Sequence, residues 1–418
     1  MSLWIPTIWF LLVTSKPLGV WLGSGGATME EGSALDRVLL IAVVCLGLLI
    51  LSKRNFAWSS AIRENPWLIL LIGYMLISVL WSDMPYTSFK RSTRQLIAVV
   101  MSFLIATEPE PRKALESILR RRIYVLIPFS FILIHYFPEH GREYHHWTGE
   151  LAWCGIATQK NGLGLLCLSA AFFLIWSLIR RRQGRDIPAT GYQTYLDTFI
   201  LILTFLLMGG PQHSFSYSAT SNATFILVLS AFIGLSWMKK RGTVIGPKAL
   251  IVIVAFIIGY GTVTPFIGKL CLADISSAFG RDETLTGRSE IWATLIPFAM
   301  KRPIGGHGFG GFWTDATRAL TSSHAHNGYL DVVLNIGFFG LFLFAMFLLS
   351  CCRRAQREMT QNFDWGILFI CYLLMAVVHN IVESSSVGIT GKFSAVVLIM
   401  AVSSTAATSN NQMVSRKV

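Results

Sequence analysis

Two side chains in this sequence, His326 and Arg288, have the types that group transfer from an anionic substrate would use. His326 closes a long polar stretch, just before an apolar segment that starts at Tyr329. An imidazole titrates near neutrality and can take a proton from an attacking hydroxyl. Asn327 beside it has the type to orient a substrate or to cap the next helix, so an interfacial histidine with a structural cap is the competing reading. Arg288 follows Gly287 and opens a short amphipathic run, Glu290–Met300. Its forked, permanently charged donors suit a phosphate or pyrophosphate. A surface arginine paired with Glu290 or Asp282 is the alternative.

Further cations and polar groups extend this set. Arg318 is a second arginine of the same sort. Lys160 and Asn161 stand just before an apolar segment, where a helix N-terminus favours anions and an Asn caps well. Lys90, Arg91 and Arg94 crowd Ser82–Arg94, a stretch read as a loop; binding an anion would explain them, and simple tolerance of three charges is the rival reading. Glu383, one of few acids near the end of an apolar segment, completes the substrate-binding candidates. The run Gly305–Trp313 lacks the Gly-Lys-Ser/Thr ending of a P-loop, so its glycines read as a tight turn. Phe312 and Trp313 would stack on a sugar ring or, preferably, hold the loop in the membrane interface.

Other chemistries lack support. His145, His146, His324 and His326 have no helical i, i+4 spacing and no Cys or acid at ligand spacing, so no metal is expected. The serines of Ser214–Thr224 have no base–acid partner nearby in sequence, which leaves a serine triad without basis.

The elements that must position these residues are membrane helices. Of 418 residues 53% are hydrophobic and only 14% charged, with mean hydropathy +0.56. Apolar runs of about 15–20 residues recur. About twelve are expected, at Trp4–Trp21, Val38–Leu51, Pro66–Trp81, Leu96–Ala106, Ile123–Phe137, Leu163–Ile179, Phe199–Met208, Phe225–Trp237, Ala249–Val263, Tyr329–Leu349, Ile367–Val382 and Phe393–Val402. The predicted fold is all-α, a polytopic bundle forming one integral membrane domain over 1–418. One large, partly helical external loop over 265–328 carries the site.

The net charge of +13 belongs to topology rather than nucleic acid. With the N-terminus inside, 21 of the 35 basic residues fall on the inner side, and Glu30, Glu31 and the long loop fall outside. Anionic lipid is the expected partner of the inner charges. The seven cysteines show no metal spacing; Cys154 and Cys271 alone would face outward. No cleaved leader is expected in Met1–Trp21. Nothing repeats as it would in a two-fold transporter, and few carboxylates sit mid-helix as a proton-coupled pump would need.

Several motifs together resemble the O-antigen ligase and O-antigen polymerase superfamily of bacterial envelope glycosyltransferases. His326-Asn327, with Gly337 and Gly340 following, is similar to its His-Asn/Ser…Gly…Gly signature. Gly287-Arg288…Trp292 resembles its Gly-Arg-x-x-x-Trp element, and Gly305–Gly310 its Gly-x-Gly-x-Gly turn. Lys160-Asn161…Gly164 and Trp81-Ser82…Pro85 resemble two further elements. The overall flavour is closest to exopolysaccharide polymerases. One departure is the Ser-rich segment after Gly209-Gly210, which lacks the basic residue many members carry there; Lys160, Arg91 or Arg94 would take over its phosphate contact.

The resemblance implies a membrane glycosyltransferase that polymerises oligosaccharide repeat units linked to undecaprenyl pyrophosphate. It would work in the bacterial inner membrane, with its site facing the periplasm. His326 and Arg288 would be catalytic; Lys160, Asn161, Arg91, Arg94, Asn327, Arg318 and Glu383 would meet substrate. Neither cofactor nor metal is implied, because the donor's energy lies in the pyrophosphate. Lipids and a chain-length regulator are the other implied partners. The alternatives are a ligase passing the glycan to lipid A core or protein, and a transporter with no chemistry.

Overall fold

The computed structural model describes residues 2–21, 34–54, 58–144, 149, 151–184, 191–210, 218–267, 283–321, 324–384 and 395–403. Among them are twelve helices of eleven residues or more. They are α1 (Trp4–Thr14), α2 (Ala34–Ser52), α3 (Pro66–Ile77), α4 (Pro85–Ala106), α5 (Pro111–Tyr136), α6 (Lys160–Arg182), α7 (Gly191–Gly209), α8 (Ala219–Lys240), α9 (Pro247–Ile267), α10 (Glu283–Lys301), α11 (Gly328–Gln361) and α12 (Phe363–Val382). Residues 395–403 are also helical. Within the described residues the apolar segments read from the sequence lie on helical backbone, except that Trp4–Trp21 is interrupted at Ser15–Pro17. Seven helices (α2, α6, α7, α8, α9, α11 and α12) are long and apolar enough to cross a membrane. The chain is thus a multi-pass helical membrane protein.

Two expectations change. The basic stretch Ser82–Arg94 is not a loop: α4 starts at Pro85, with proline at the first turn, and carries Lys90, Arg91 and Arg94 on its first three turns. Polar composition there marks an amphipathic helix running beyond the apolar segment. The fold also contains a small antiparallel hairpin, strands Arg142–Tyr144 and Leu151–Trp153, with Glu143 opposite Ala152. His145 and His146 lie outside the described residues, as do Ser214–Tyr217, Cys271 and Asp282.

The bundle is built around α12, of whose apolar window 89% is buried, whereas the equivalent figure for α2 is 17%. A helix apolar on every side belongs at the centre; α12 packs against α11, α8, α9 and α6. Its two ends differ chemically. At its start Asp364 lies 3.9 Å from Arg180. Nearby, Arg181 pairs with Asp197 at 2.8 Å and Arg120 with Glu116 at 2.9 Å. Just past its other end stands Glu383, facing the first turn of α6 through Asn161. With 23 residues, α6 spans about 34 Å, so the ionic belt at its C-terminal end and Glu383 at its N-terminal end are a membrane thickness apart.

The helix that follows His326 is bent. Ile336 and Gly337 break the α conformation of α11, Gly337 with φ 69°. The backbone groups freed there are taken up by the glycine-rich turn: His307 N–H donates to Leu334 O at 3.0 Å and Phe338 N–H to Pro303 O at 2.7 Å. Inside a bundle such satisfaction is compulsory. A Cβ on Gly306, itself at φ 63°, would sit 2.6 Å from the Asn335 carbonyl, so only glycine lets the two backbones meet. Gly337 therefore serves a turn-to-helix contact.

Candidate active site

The Glu383 carboxylate is the point on which the candidate residues converge. Its Oε1 accepts from Asn161 Nδ2 at 2.7 Å and from Arg288 Nη2 at 3.2 Å. Its Oε2 lies 3.5 Å from His326 Nδ1 and 3.8 Å from His324 Nε2. Four segments thus meet: the start of α6, the first half of α10, the loop before α11 and the end of α12. Glu383 is buried, whereas the side chains of Arg288, His324 and His326 keep 14%, 18% and 24% of their exposure, which opens the cluster to one side. Burial by itself would raise the Glu383 pKa; His326, Arg288 and His324 outweigh it and hold the carboxyl down at about 2. Burial pushes the His324 imidazole the other way from its charged form, to about 4.

Local sequence explains how each group is presented. Arg288 and Trp292 are four apart on α10 and share a face. While Arg288 reaches Glu383, Trp292, 1% exposed, donates its Nε1–H to Ala325 O at 2.9 Å. His326 has φ 49°, the one non-glycine residue in the left-handed region among those described. Such a conformation is held only when its surroundings over-determine it. Here both neighbours are fixed. Ala325 N–H donates to Asp331 Oδ2 at 3.3 Å. Asn327, fully buried, caps α11 through Leu330 N–H at 2.9 Å and donates to Gly261 O and Ile381 O at 2.9 and 3.0 Å. Asn327 therefore acts as the cap, and the expectation that it touches substrate gives way because its amide is committed to backbone.

The other candidates distribute differently. Lys160 opens α6 beside Asn161, with its N–H on Glu143 Oε1 at 2.9 Å. Arg91 hydrogen-bonds Gly310 O, tying α4 to the glycine-rich turn rather than to Glu383. Arg94 is exposed on the same helix. Arg318 lies 3.7 Å from Asp315, with Nε and Nη1 making no hydrogen bond among the described residues. No described contact brings these three arginines to Glu383. Phe312 and Trp313 are buried in protein, at 2% and 7% exposure, so they neither face the interface nor offer a sugar platform. Trp313 Nε1 donates to Asp331 Oδ1 at 2.8 Å.

Three neighbours of the cluster were not among the catalytic or substrate-binding candidates. Asp331 joins Trp313 and Ala325 beneath the His326 loop; an acid inside an otherwise apolar segment was the available signal. His324 joins the cluster because Glu383, which is distant in sequence, faces it, so ligand spacing along the chain could not reveal the set His324–His326–Glu383, whose potential ligand atoms lie within 4.8 Å of one another. Asp83 braces the site from outside: it receives His307 Nδ1 at 2.6 Å and Arg302 Nη1 at 2.9 Å, while Trp81 Nε1 donates to Gly305 O at 3.0 Å. The Trp-Ser-x-x-Pro and glycine-turn motifs are therefore two halves of one contact. Likewise Gly164 packs against Ser218 and Ser221, joining the Lys-Asn element to the Ser-rich segment.

Parts of the chain match known proteins. Residues 214–345, which include Arg288, the glycine-rich turn and His326, match the family model described as O-antigen ligase. The chain is also 24% identical over 300 residues to the exopolysaccharide production protein ExoQ of Rhizobium meliloti (strain 1021), an alignment covering 68% of this chain and 63% of that relative. With the motifs, these matches make the chain similar, over part of its length, to the O-antigen ligase family and to an exopolysaccharide production protein.

Proposed function

We propose that this protein is a glycosyltransferase that extends a surface polysaccharide from lipid-pyrophosphate-linked repeat units, at the outer face of the bacterial inner membrane. The observation that carries the reading is the meeting of Arg288, Asn161 and His326 on Glu383. Glu383, facing Nδ1 of His326, favours the tautomer whose Nε2 is free to accept a proton. A hydroxyl of the acceptor glycan loses its proton to that nitrogen as its oxygen attacks the anomeric carbon of the donor. The bond to the pyrophosphate breaks, and the lipid diphosphate leaves. Arg288, held by the carboxylate but still partly exposed, stands where it can stabilise the departing charge, with Lys160 at the adjacent helix N-terminus. The donor's own diphosphate drives the step, so neither nucleotide nor metal enters it. A chain-length regulator fits as a partner of a polymerase.

The ligase reading shares this chemistry and differs in the acceptor; the family model's description favours it, as the ExoQ relative favours polymer production. Purified protein in lipid with a synthetic lipid-pyrophosphate repeat unit tests the class. Chain extension without nucleotide is expected from wild type. If extension is absent while a finished glycan is passed to lipid A core or protein, the polymerase assignment is wrong.

A further inference from the structure

The geometry assigns a second ligand to the same cluster: His324, His326 and Glu383 form a site for a zinc-class divalent cation that blocks transfer. The blocking half of this statement rests on the function proposed above; the binding half does not.

Zinc takes nitrogen and oxygen ligands at about 2.0–2.2 Å in tetrahedral geometry, which sets the ligand atoms about 3.3–3.6 Å apart. The two edges running from Glu383 Oε2 are 3.5 Å to His326 Nδ1 and 3.8 Å to His324 Nε2, and all three atoms fall within 4.8 Å. The ring centroids of the two histidines are 4.1 Å apart. The two edges from Glu383 need shifts of only a few tenths of an ångström to receive a cation, and the two histidine nitrogens lie within 4.8 Å of each other. His326 Nδ1 faces Glu383 Oε2 at 3.5 Å, so a metal entering between them replaces that contact. Its left-handed backbone, fixed on both sides, presents this nitrogen without further rearrangement.

The surroundings complete the arrangement. Glu383 Oε1 is already held by Asn161 and Arg288, which orient the carboxylate so that Oε2 is the oxygen offered. Residual exposure of the two histidines leaves a fourth position for water. Two imidazoles and one carboxylate select zinc, cobalt or copper over magnesium and calcium, which want oxygen. The Arg288 charge nearby works further against a hard cation bound by charge alone. A metal on Nδ1 leaves the hydrogen of His326 on Nε2. The imidazole then has no lone pair to receive the acceptor's proton, and transfer stops.

The test uses the full-length protein in detergent, stripped with chelator and titrated with Co2+ as a coloured probe, then with Zn2+ in competition. One equivalent of Co2+ with a tetrahedral spectrum is expected, displaced by Zn2+ and not by Mg2+. His324→Ala and Glu383→Gln should each weaken binding about tenfold or more. Thermal unfolding of each variant checks its fold, and His324→Ala, at a more exposed position, carries the test if Glu383→Gln does not fold. Equal Co2+ affinity in wild type and His324→Ala, or no bound Co2+ at all, overturns the site. In the transfer assay Zn2+ should inhibit, a chelator should restore the rate, and whatever activity His324→Ala retains should be insensitive to Zn2+. Bound Co2+ in a protein with no transfer activity would leave the site standing and overturn the function instead.

Discussion

Replacing Glu383 with Gln keeps the size of the side chain and removes the charge on which four residues converge. The carboxyl is held at about 2 against an ordinary 4.5. At about 1.4 kcal/mol per pKa unit, its charged form is worth about 3 kcal/mol of native stability at neutral pH. Removing one member of a buried pair costs about 3–5 kcal/mol, because the partner charge is stranded; Arg288, at 14% exposure, would be that partner. The direction with pH follows from the depressed value. The contribution is complete above pH 4.5 and lost as pH falls through the window from 4.5 towards 2. Unfolding of purified protein in detergent, followed by intrinsic tryptophan fluorescence, should show Glu383→Gln less stable by about 3 kcal/mol at pH 7. The difference from wild type should shrink only when the pH drops below 4.5. Transfer should fall by about a hundredfold or more, since His326 loses the group that fixes its tautomer. A Gln variant that unfolds at the wild-type midpoint would refute the assignment of Glu383 as the organising charge.

Other substitutions probe the frame around it. Trp292→Phe removes one hydrogen bond to Ala325 O and should lower stability by about 1 kcal/mol, read in the same unfolding assay; no change would show that the bond does not hold the His326 loop. Gly306→Ala puts a methyl against the Asn335 carbonyl at a left-handed position, and the protein should fail to accumulate in membranes; normal accumulation would contradict the turn-to-helix docking. Asn327→Ala loses the α11 cap and two bonds to backbone, so it should destabilise by about 2 kcal/mol or more while leaving donor affinity in the folded fraction unchanged. Loss of donor binding alone would return Asn327 to the substrate contacts.

Much of this is legible in the amino-acid sequence, for identifiable reasons. Apolar runs long enough to span hydrocarbon dictate helices almost irrespective of neighbours, so the segments lie on helical backbone wherever the structure describes them, apart from the break at Ser15–Pro17. Arg288 and His326 were legible because their types are unusual beside apolar segments. What joins them was not. Glu383 stood out only as an acid at a helix end, and its convergence with Asn161 depends on α6 and α12 lying side by side, a long-range fact that local pattern does not contain. Polar residues misled at Ser82–Arg94, where composition reads as loop and Pro85 starts a helix. Aromatic residues misled at Phe312 and Trp313, because an interface belt and a buried brace ask for the same side chains.

The central claim is that one charged cluster grips a lipid diphosphate and removes a proton from the acceptor, two tasks assigned to different side chains. Measuring donor affinity and single-turnover transfer separately, in wild type, His326→Ala and Arg288→Ala, tests it directly. His326→Ala should bind the lipid-pyrophosphate donor as wild type does and transfer nothing measurable, while Arg288→Ala should be impaired in both. Transfer by His326→Ala at the wild-type rate would contradict the account.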